Sequence, residues 1–202
     1  NFRSAQLTVI DELAGTPLAT MYAKGVLDKS PHRVEHLSDY LRYAVLWKRG
    51  GIYLDTDVIV MKPLGGIKDS VVYQSDKQHS EIANGILFFS ARHPLLAAIM
   101  DACARVYDPS EWTTCGPTLL SQLLLGAQFS QRVNFLDKSA FFQVPYSKWL
   151  DLFSPAESSK VLKAIENSYG VHFWNKFSHK QPVILGSGCV MDALAKAHCP
   201  KV

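Results

Sequence analysis

The sequence predicts an α/β fold in which strands and helices alternate along the chain and pack in layers. Of the 202 residues, 48% are hydrophobic and 19% are charged, as in a globular domain. Short apolar runs typical of strands alternate with longer segments typical of helices. The chain contains no internal repeat and no low-complexity linker. We therefore expect a single domain over residues 1–202.

Strands are predicted from short apolar runs, and helices from longer segments with a start or stop signal. In chain order the predicted elements are strand 5–10, helix 17–27, helix 38–48, strand 51–60 interrupted at an acidic turn, strand 71–76, strand 85–90, helix 93–107, helix 117–125, strands 133–136 and 141–144, helix 155–167 and strand 169–174.

The early helices have recognisable start signals. Pro17 suits the first turn of a helix, where its missing N–H is not needed. Ser38 is a preferred N-cap for the segment DYLRYAVLWKR, and Gly50-Gly51 is a typical helix end. Because most of that segment is apolar, we expect this helix to be largely buried.

The later elements follow from similar signals. VVYQSD and GILFFS are strand-like runs around Asn84-Gly85. A helix is expected to open at His93-Pro94, and Pro117 starts another, TLLSQLLL, that stops before Gly126. The segment 155–167 has the pattern of an amphipathic helix.

Charge and hydropathy exclude several classes of protein. The formal net charge is only +3, and the 21 basic residues are scattered, so no nucleic-acid-binding stripe is present. No apolar run approaches the roughly 20 residues that span a bilayer, and no signal peptide is visible. Because the chain begins at Asn1 without a methionine, we expect it to be a piece of a longer protein.

The four cysteines are too far apart for a CxxC metal site. Two local disulfides, Cys103–Cys115 and Cys189–Cys199, would suit a secretory compartment. Four reduced, partly buried thiols are the alternative, and the sequence does not decide between the two.

Two carboxylates interrupt the apolar stretch GGIYLDTDVIV. Side chains two residues apart on an extended segment point to the same side, so Asp55 and Asp57 project together. They follow a predicted buried strand, and ligands of α/β sheets bind at the carboxyl ends of strands. Two hard oxygen donors suit Mg²⁺ or Mn²⁺ rather than zinc, with substrate phosphates completing the shell. The alternative is a polar turn between two strands.

The preceding helix carries a second polar pair. Asp39 and Arg42 are three residues apart, hence neighbours on one helix face near its predicted N-terminus. That end carries partial positive charge, and Arg42 adds a planar fork suited to phosphate. The alternative is a solvated Asp–Arg pair within the helix. The apolar surroundings favour a pair that lines a site.

The stretch HLSDYLRYAVLWKRGGIYLDTDVIV resembles the sugar-binding, D-x-D region of the α1,4-galactosyltransferase and α1,4-N-acetylglucosaminyltransferase family. These are glycosyltransferases of family 32, with a GT-A fold. The shared pattern is S-D-x-x-R, a helix, then G-G-x-Y-x-D-x-D. It is complete here in Ser38, Asp39, Arg42, Gly50, Gly51, Tyr53, Asp55 and Asp57. Asn84-Gly85, His93-Pro94, Gly116-Pro117 and VHFWNK (171–176) follow in the family's order, and the resemblance runs from about residue 5 to 176.

The resemblance implies a mixed central sheet flanked by helices, and a retaining transfer of galactose or N-acetylglucosamine from UDP-galactose or UDP-GlcNAc. It implies that Asp57 binds the metal, Mn²⁺ or Mg²⁺, and that Asp55 contacts the ribose or the metal through water. The bound metal would neutralise the charge that develops on the departing diphosphate. His172 is a third candidate ligand, although a lone histidine beside a core strand is as readily structural.

The resemblance also implies residues that bind the donor sugar or its nucleotide. The candidates are Asp39, Arg42, Tyr53, Asp55, Asn84, Gly85, Trp174 and Asn175. An ordinary Asn-Gly hairpin turn is an equal alternative for Asn84. Trp174 is equally explained by core packing. Trp112 and Tyr146 are possible acceptor-stacking surfaces, with packing as the favoured alternative.

The catalytic group is left open by the sequence. Retention through a double displacement needs a carboxylate nucleophile, and Asp39 and Asp76 are the available candidates. A front-face attack, in which the acceptor enters on the side that UDP leaves, is equally open.

The match departs from the family at both ends of the chain. The first nucleotide-binding strand is expected before residue 5, so the chain is expected to lack it, and residues 177–202 form a tail that we do not align. The family's members act on glycolipid or glycoprotein acceptors in the Golgi lumen, as type II membrane proteins. This chain is therefore expected to associate with membranes only through a segment outside it.

Two other functions are weighed against the transferase. A truncated or degenerate transferase-like module that binds carbohydrate without activity would be consistent with the missing strand. A phosphatase of the haloacid-dehalogenase type also places D-x-D after a strand, but there the motif is normally followed by x-T or x-V. Ile59 occupies that position here.

Overall fold

The computed structural model describes residues 8–75 and 81–199. In chain order the helices and strands are α1 Val9–Leu13, α2 Pro17–Ala23, α3 Arg33–Arg49, β1 Gly51–Leu54, β2 Val58–Val60, β3 Ser70–Tyr73, β4 Ile82–Phe89, α4 Pro94–Val106, α5 Pro117–Leu125, α6 Ala127–Ser130, β5 Asn134–Leu136, α7 Ser158–Ala164, β6 Gly170–His172, α8 Asn175–Ser178 and α9 Val190–His198. Short 3₁₀ turns lie at Val26–Lys29, Lys138–Ala140, Tyr146–Leu152 and Pro155–Glu157. The predicted mixed α/β class is confirmed.

The described residues fall into two compact units. The first contains residues 8–53, 68–71 and 81–134, and the second contains residues 54–67, 72–75 and 135–199. The strands form a four-stranded sheet in the order β1-β4-β3-β5 and a two-stranded sheet of β2 and β6.

The core of the first unit is built on α3 and β4. Helix α3 packs against α1 and α4, and β4 packs against α5. On α3 the buried aromatic residues Tyr40 and Tyr43 are spaced to share one face, and Ile86 and Leu87 of β4 are also buried. This core supports the polar residues that α3 and β4 carry.

The end of α3 is set by a close backbone approach. Gly50 has φ +66° and ψ −171°, a conformation that glycine adopts far more readily than other residues, and its N–H donates to the carbonyl of Leu46. A Cβ at position 50 would lie 2.6 Å from the backbone nitrogen of Ala91. Both observations require glycine here, and the predicted helix end is confirmed.

The second unit is organised around an antiparallel pair of short strands. In this pair Val58 lies opposite His172, and Val60 lies opposite Gly170. A Cβ at Gly170 would lie 2.7 Å from the carbonyl oxygen of Ile59, so the two strands approach closely only because residue 170 is glycine. Helix α9 packs on β2 and on α7. The register brings the end of β6 beside the acidic turn that precedes β2.

Several predicted elements are confirmed within a few residues. The acidic turn interrupts the strand predicted over 51–60, α4 opens at His93 as its N-cap, and α5 begins at Pro117. The strands predicted at 133–136 and 169–174 correspond to β5 and β6.

Helix 17–27 is instead divided in two by Gly25, which has φ +64°. Helix 155–167 begins as a 3₁₀ turn and continues as α7.

Other predictions are wrong. Helix α3 begins at Arg33, so Ser38 is not its N-cap and lies inside the helix. Val9 and Ile10 belong to α1 rather than to a strand over 5–10, of which residues 5–7 lie outside the described part. Residues 141–144 form turns instead of a strand.

Strand β1 is not buried as predicted, since Ile52 is 42% exposed. Asn84 and Gly85 lie within β4, so the hairpin turn considered for them is excluded.

The state of the cysteines lies between the two predicted alternatives, which were two disulfides or four free thiols. Cys103 and Cys115 form a disulfide, as in the first predicted pair. Cys189 and Cys199 are unbonded, the former buried and the latter half-buried. No helix in the described part of the chain is long and apolar enough to cross a membrane.

Candidate functional site

Three potential metal ligands come together in the second unit. Asp55 and Asp57 lie in the turn before β2, and His172 is the last residue of β6. One ligand atom from each of the three lies within 4.8 Å of the other two. The sequence separates His172 from the acidic turn by more than a hundred residues, and the register of β2 with β6 brings it back.

The Asp57 side chain is held by the chain that follows β6. Oδ2 of Asp57 accepts the backbone N–H of Asn175 at 2.7 Å, and the backbone carbonyl oxygen of Asp57 accepts the N–H of Phe173 at 2.8 Å. Between these two, Trp174 adopts the left-handed conformation, φ 55° and ψ 52°. A non-glycine residue there is uncommon and needs compensation from its surroundings.

The compensation for Trp174 is visible in its contacts. Its indole Nε1 donates to the carbonyl of Val144 at 2.9 Å, and its ring packs edge-on against the His172 ring at 4.6 Å between centroids. The side chain is buried. Trp174 thus sets the path of the chain that delivers the Asn175 N–H to Asp57.

The protonation of His172 follows from the same turn. Its Nδ1 accepts the Trp174 N–H at 3.1 Å, so the proton of the neutral ring is on Nε2, which lies 3.5 Å from Asp57 Oδ1. Burial lowers the pKa of His172, and the nearby Asp57 and Asp55 oppose that shift.

Two of the three candidate ligands, the carboxylates, fit a hard divalent cation without rearrangement, whereas the histidine does not. The two carboxylates offer oxygen ligands of the kind that Mn²⁺ and Mg²⁺ prefer. His172 would ligate through Nε2 only after its ring proton moves to Nδ1, where it would face the Trp174 N–H. The carboxylates are therefore the primary candidates, and His172 joins them only if its ring or the Trp174 peptide rotates.

A second polar cluster is buried in the first unit. Asp39 and Arg42 lie in the middle of α3, both 6% exposed, and Asn84 lies on β4. Asp39 Oδ1 accepts the Asn84 side-chain amide at 2.8 Å and lies 3.2 Å from an Arg42 terminal nitrogen. We expected Asp39 and Arg42 to lie near the positive N-terminal end of the helix. This prediction is wrong, because the helix begins at Arg33.

The Arg42 guanidinium is directed at protein acceptors. It donates to the Asn84 carbonyl at 2.8 Å, to Ser38 Oγ at 3.0 Å and to the Ser38 carbonyl at 3.3 Å. Its carbon lies 4.5 Å from the centre of the Tyr53 ring, and the Tyr53 hydroxyl is 3.1 Å from Ser38 Oγ. The S-D-x-x-R and Y positions of the sequence pattern therefore form one network.

Two members of this cluster were not predicted. The Tyr43 hydroxyl lies 3.4 Å from the Asn84 amide nitrogen, and burial raises the pKa of Tyr43. A Cβ at Gly116 would lie 2.9 Å from Asp39 Oδ2 and 3.2 Å from Asn84 Nδ2, so the backbone before α5 closes against the cluster. Tyr43 is four residues from Asp39 and thus on the same helix face, a signal that was available in the sequence.

The remaining predicted residues are distributed as follows. Gly85 follows Asn84 inside β4, and Asp76 lies outside the described residues. Trp112 is partly exposed in the first unit, where its ring lies 6.2 Å from that of His32. Tyr146 is half exposed in the second unit.

Comparison with known families identifies two matching regions. A family described as "Alpha 1,4-glycosyltransferase conserved region" matches residues 88–202. A family described as "Glycosyltransferase sugar-binding region containing DXD motif" matches residues 9–78, which include α3 and the acidic turn.

Individual proteins are similar over most of the chain. Lactosylceramide 4-alpha-galactosyltransferase of Mus musculus is 31% identical over 195 residues, covering 92% of this chain and 53% of that protein. The same-named protein of Pongo pygmaeus is 30% identical, covering 99% and 94%. Alpha-1,4-N-acetylglucosaminyltransferase of Homo sapiens is 28% identical, covering 94% and 57%.

The chain thus spans about half the length of the mouse and human relatives. Among solved structures, PaToxG Glycosyltransferase aligns with a TM-score of 0.46 at 21% identity, over 81% of this chain and 60% of that one.

Proposed function

The chain belongs to the α1,4-glycosyltransferase family, and we propose on that basis that it transfers a hexose from a UDP-sugar to a glycan in a metal-dependent reaction. The observation that carries the proposal is the convergence of Asp55, Asp57 and His172 in the second unit. The D-x-D sugar-binding family matches the region that contains the two carboxylates.

The acidic turn would hold the cation of the donor complex. Asp57 and Asp55 would be its protein ligands, and the Asn175 N–H keeps Asp57 Oδ2 in a single orientation. When bound, a divalent cation such as Mn²⁺ supplies positive charge to the departing diphosphate. Mn²⁺ is our specific choice of ion, with Mg²⁺ as the alternative.

The buried cluster on α3 would contact the donor sugar. Asp39 and Asn84 present a carboxylate and an amide that are held in place, and such groups bind hydroxyls by hydrogen bonds. Arg42 already donates to Ser38 and to Asn84, which supports a positioning role for it in place of the phosphate contact expected from sequence.

The stereochemical course would be retention, as the family resemblance implies. Asp39 Oδ1 accepts the Asn84 amide and is paired with Arg42, and both interactions stabilise the charged carboxylate and lower its nucleophilicity. We therefore favour the front-face route over a covalent intermediate on Asp39.

Our proposal for the donor sugar and the acceptor follows the names of the relatives. These name a galactosyl and an N-acetylglucosaminyl transferase, one of them acting on lactosylceramide. We propose UDP-galactose or UDP-GlcNAc as donor and a glycolipid or glycoprotein glycan as acceptor. The Cys103–Cys115 disulfide supports an oxidising compartment, and we propose the Golgi lumen, with the full-length form a type II membrane protein.

The proposal is tested by assaying the full-length protein with each donor, a β-lactoside acceptor and Mn²⁺, with and without EDTA. We expect transfer to require the metal and to fall about 100-fold or more in Asp57→Asn. The control is Glu166→Gln, which removes an exposed carboxylate from the same unit. Full activity of Asp57→Asn would overturn the metal assignment. Absence of both transfer and metal-dependent UDP binding would instead favour the degenerate, carbohydrate-binding module, whereas tight metal-dependent UDP binding argues against it.

A further inference from the structure

Two aromatic rings are exposed side by side in the second unit. Tyr146 is 50% exposed and Phe177 is 43% exposed. Their ring centroids are 6.0 Å apart and their planes differ by only 20°. Near-parallel rings at that separation are offset, and the Lys176 ammonium lies 5.9 Å from the centre of the Phe177 ring. We call these two rings the aromatic platform.

The platform differs from the other aromatic residues around it. Phe141, Phe142 and Phe173 of the same unit are all buried. Burying an aromatic side chain stabilises a fold, so a pair left outside the core lacks that explanation. Two adjacent exposed rings form a candidate binding surface.

The platform is connected to the candidate metal ligands through one buried ring. Tyr146 packs edge-on against Trp174 with centroids 6.0 Å apart, and Trp174 packs edge-on against His172 at 4.6 Å. Phe177 lies on α8, whose first residue, Asn175, donates its N–H to Asp57. One short segment therefore places an exposed ring and orients a candidate metal ligand.

We propose that the aromatic platform binds a pyranose ring of the acceptor glycan, an inference that rests on the proposed glycosyl transfer. A pyranose has a face of C–H bonds that packs on the electron-rich face of an aromatic ring, while its hydroxyls point to the side and stay hydrated. Two offset, near-parallel rings form a surface of that kind. The ring contacts from Tyr146 to Trp174 and from Trp174 to His172 link this surface to the candidate metal ligands of the same unit.

The platform is small and its rings are aromatic, which favours a sugar over a lipid chain. An acyl chain is bound by a continuous aliphatic surface, and it gains nothing from ring orientation. Replacing a ring by an aliphatic group of similar bulk therefore separates the two ligands. Phe177→Leu keeps apolar bulk and removes the face, whereas Tyr146→Phe keeps the face.

The experiment measures, in the full-length protein, the KM for methyl β-lactoside and the ratio of transfer to hydrolysis of the UDP-sugar. We expect Tyr146→Ala, Phe177→Ala and Phe177→Leu each to raise the acceptor KM by about 3- to 10-fold and to lower the ratio. Tyr146→Phe should keep the wild-type KM. The control is Leu150→Ala, which removes an exposed apolar side chain from the same 3₁₀ segment as Tyr146 and should change neither quantity.

Each outcome separates the platform from the proposed function. An unchanged acceptor KM in both alanine variants, with donor hydrolysis present, overturns the platform. So does a rise in KM confined to a detergent-dispersed glycolipid, which would identify a lipid site.

If the wild-type protein neither hydrolyses nor transfers, the proposed function fails. Ligand-observed NMR of methyl β-lactoside binding then compares the wild type with Tyr146→Ala. Equal binding overturns the platform, and weaker binding by the variant supports it.

Discussion

The backbone N–H of Asn175 donates to Oδ2 of Asp57 at 2.7 Å, across 118 residues of sequence. Because this bond occupies one carboxylate oxygen, the other oxygen is turned toward His172, 3.5 Å from its Nε2. The orientation of a candidate metal ligand is thus determined by the chain after β6. An ion bound at Asp57 would therefore stabilise that segment as well as the acidic turn.

We predict that Mn²⁺ binds the chain through this turn and that Asp57→Asn weakens binding by at least about 10-fold. The physical reason is the loss of a charged oxygen ligand that the Asn175 N–H already orients. Isothermal titration calorimetry measures the affinity directly. In a thermal melt, Mn²⁺ at 100 times its Kd should add about 2.7 kcal/mol of stability to the wild type.

The exposed carboxylate variant Glu166→Gln is the control for the metal measurement, since it removes one negative charge from the same unit. It should bind Mn²⁺ as the wild type does. Equal affinities for the wild type and Asp57→Asn would show that the acidic turn is not a metal site.

Asp39→Ala should destabilise the protein by about 3–5 kcal/mol, because it removes the buried carboxylate that lies 3.2 Å from the buried Arg42 guanidinium. The Asn84 amide would lose its 2.8 Å acceptor at the same time. The measurement is urea unfolding followed by circular dichroism. Asp101→Ala, an exposed aspartate on α4, is the control and should change the free energy of unfolding little. A loss below about 1 kcal/mol in Asp39→Ala would mean that the pair is solvated, as an exposed pair is.

Gly116→Ala should lower transferase activity and destabilise the chain by about 1–3 kcal/mol. Its added Cβ would lie 2.9 Å from Asp39 Oδ2, so either the loop or the carboxylate must shift. The φ of −95° at this residue lies outside the left-handed region that favours glycine.

The matched control for this steric effect is Gly126→Ala. Its Cβ would lie 3.5 Å from the Leu123 carbonyl, an ordinary contact, and its φ is −77°. We expect wild-type activity and stability from this variant. Equal effects of the two substitutions would show that crowding at Asp39 is not responsible.

Local patterns predicted the elements whose ends have strong chemical signals. Gly50 ends α3, and Pro117 begins α5, because glycine and proline restrict the backbone wherever they occur. Ser38 misled the prediction because its hydroxyl is used by Arg42 and lies near Tyr53, so a capping residue type serves a tertiary contact inside the helix.

Apolar runs misled the prediction where tertiary packing, and not a strand, buries them. Phe141 and Phe142 are buried although they lie in an irregular, turn-rich segment. A short apolar run of this kind has the same sequence pattern as a buried strand. The proximity of His172 to the acidic turn depends on strand register, which a single sequence does not reveal. The steric need for glycine at position 116 likewise depends on which element packs against α3.

The disulfide gives a prediction that is independent of function. Cys103 and Cys115 are 12 residues apart, and removing the bond should cost about 3 kcal/mol by the loop-entropy argument. Cys103→Ser combined with Cys115→Ser should lower the urea midpoint, whereas Cys199→Ser, at a free thiol, should not. Thiol titration of the unfolded, unreduced protein should find two free thiols. A count of four would contradict the bond, and a count of zero would indicate a second disulfide.

Stability should fall as the pH drops below about 6.5, in part because of His36. His36 is fully buried, with Nε2 3.1 Å from the carbonyl oxygens of Glu111 and Trp112 and Nδ1 2.9 Å from the Tyr107 hydroxyl. Burial lowers the pKa of His36. Between the unfolded pKa and this lower folded pKa, the unfolded chain binds more protons than the native one. The stabilisation is therefore complete above about 6.5 and is lost as the pH falls through that interval.

His36→Gln removes this titrating group and should flatten the pH dependence of the melting temperature between pH 7.5 and 5. The variant will be less stable at pH 7.5, because the buried contacts of the ring are lost, so the comparison is of slopes and not of absolute values. Some slope should remain, since burial also lowers the pKa of His172. Parallel curves for the wild type and His36→Gln would show that His36 does not contribute to acid destabilisation. A steeper curve for the variant would reverse the sign, meaning that the native environment stabilises the charged form of His36.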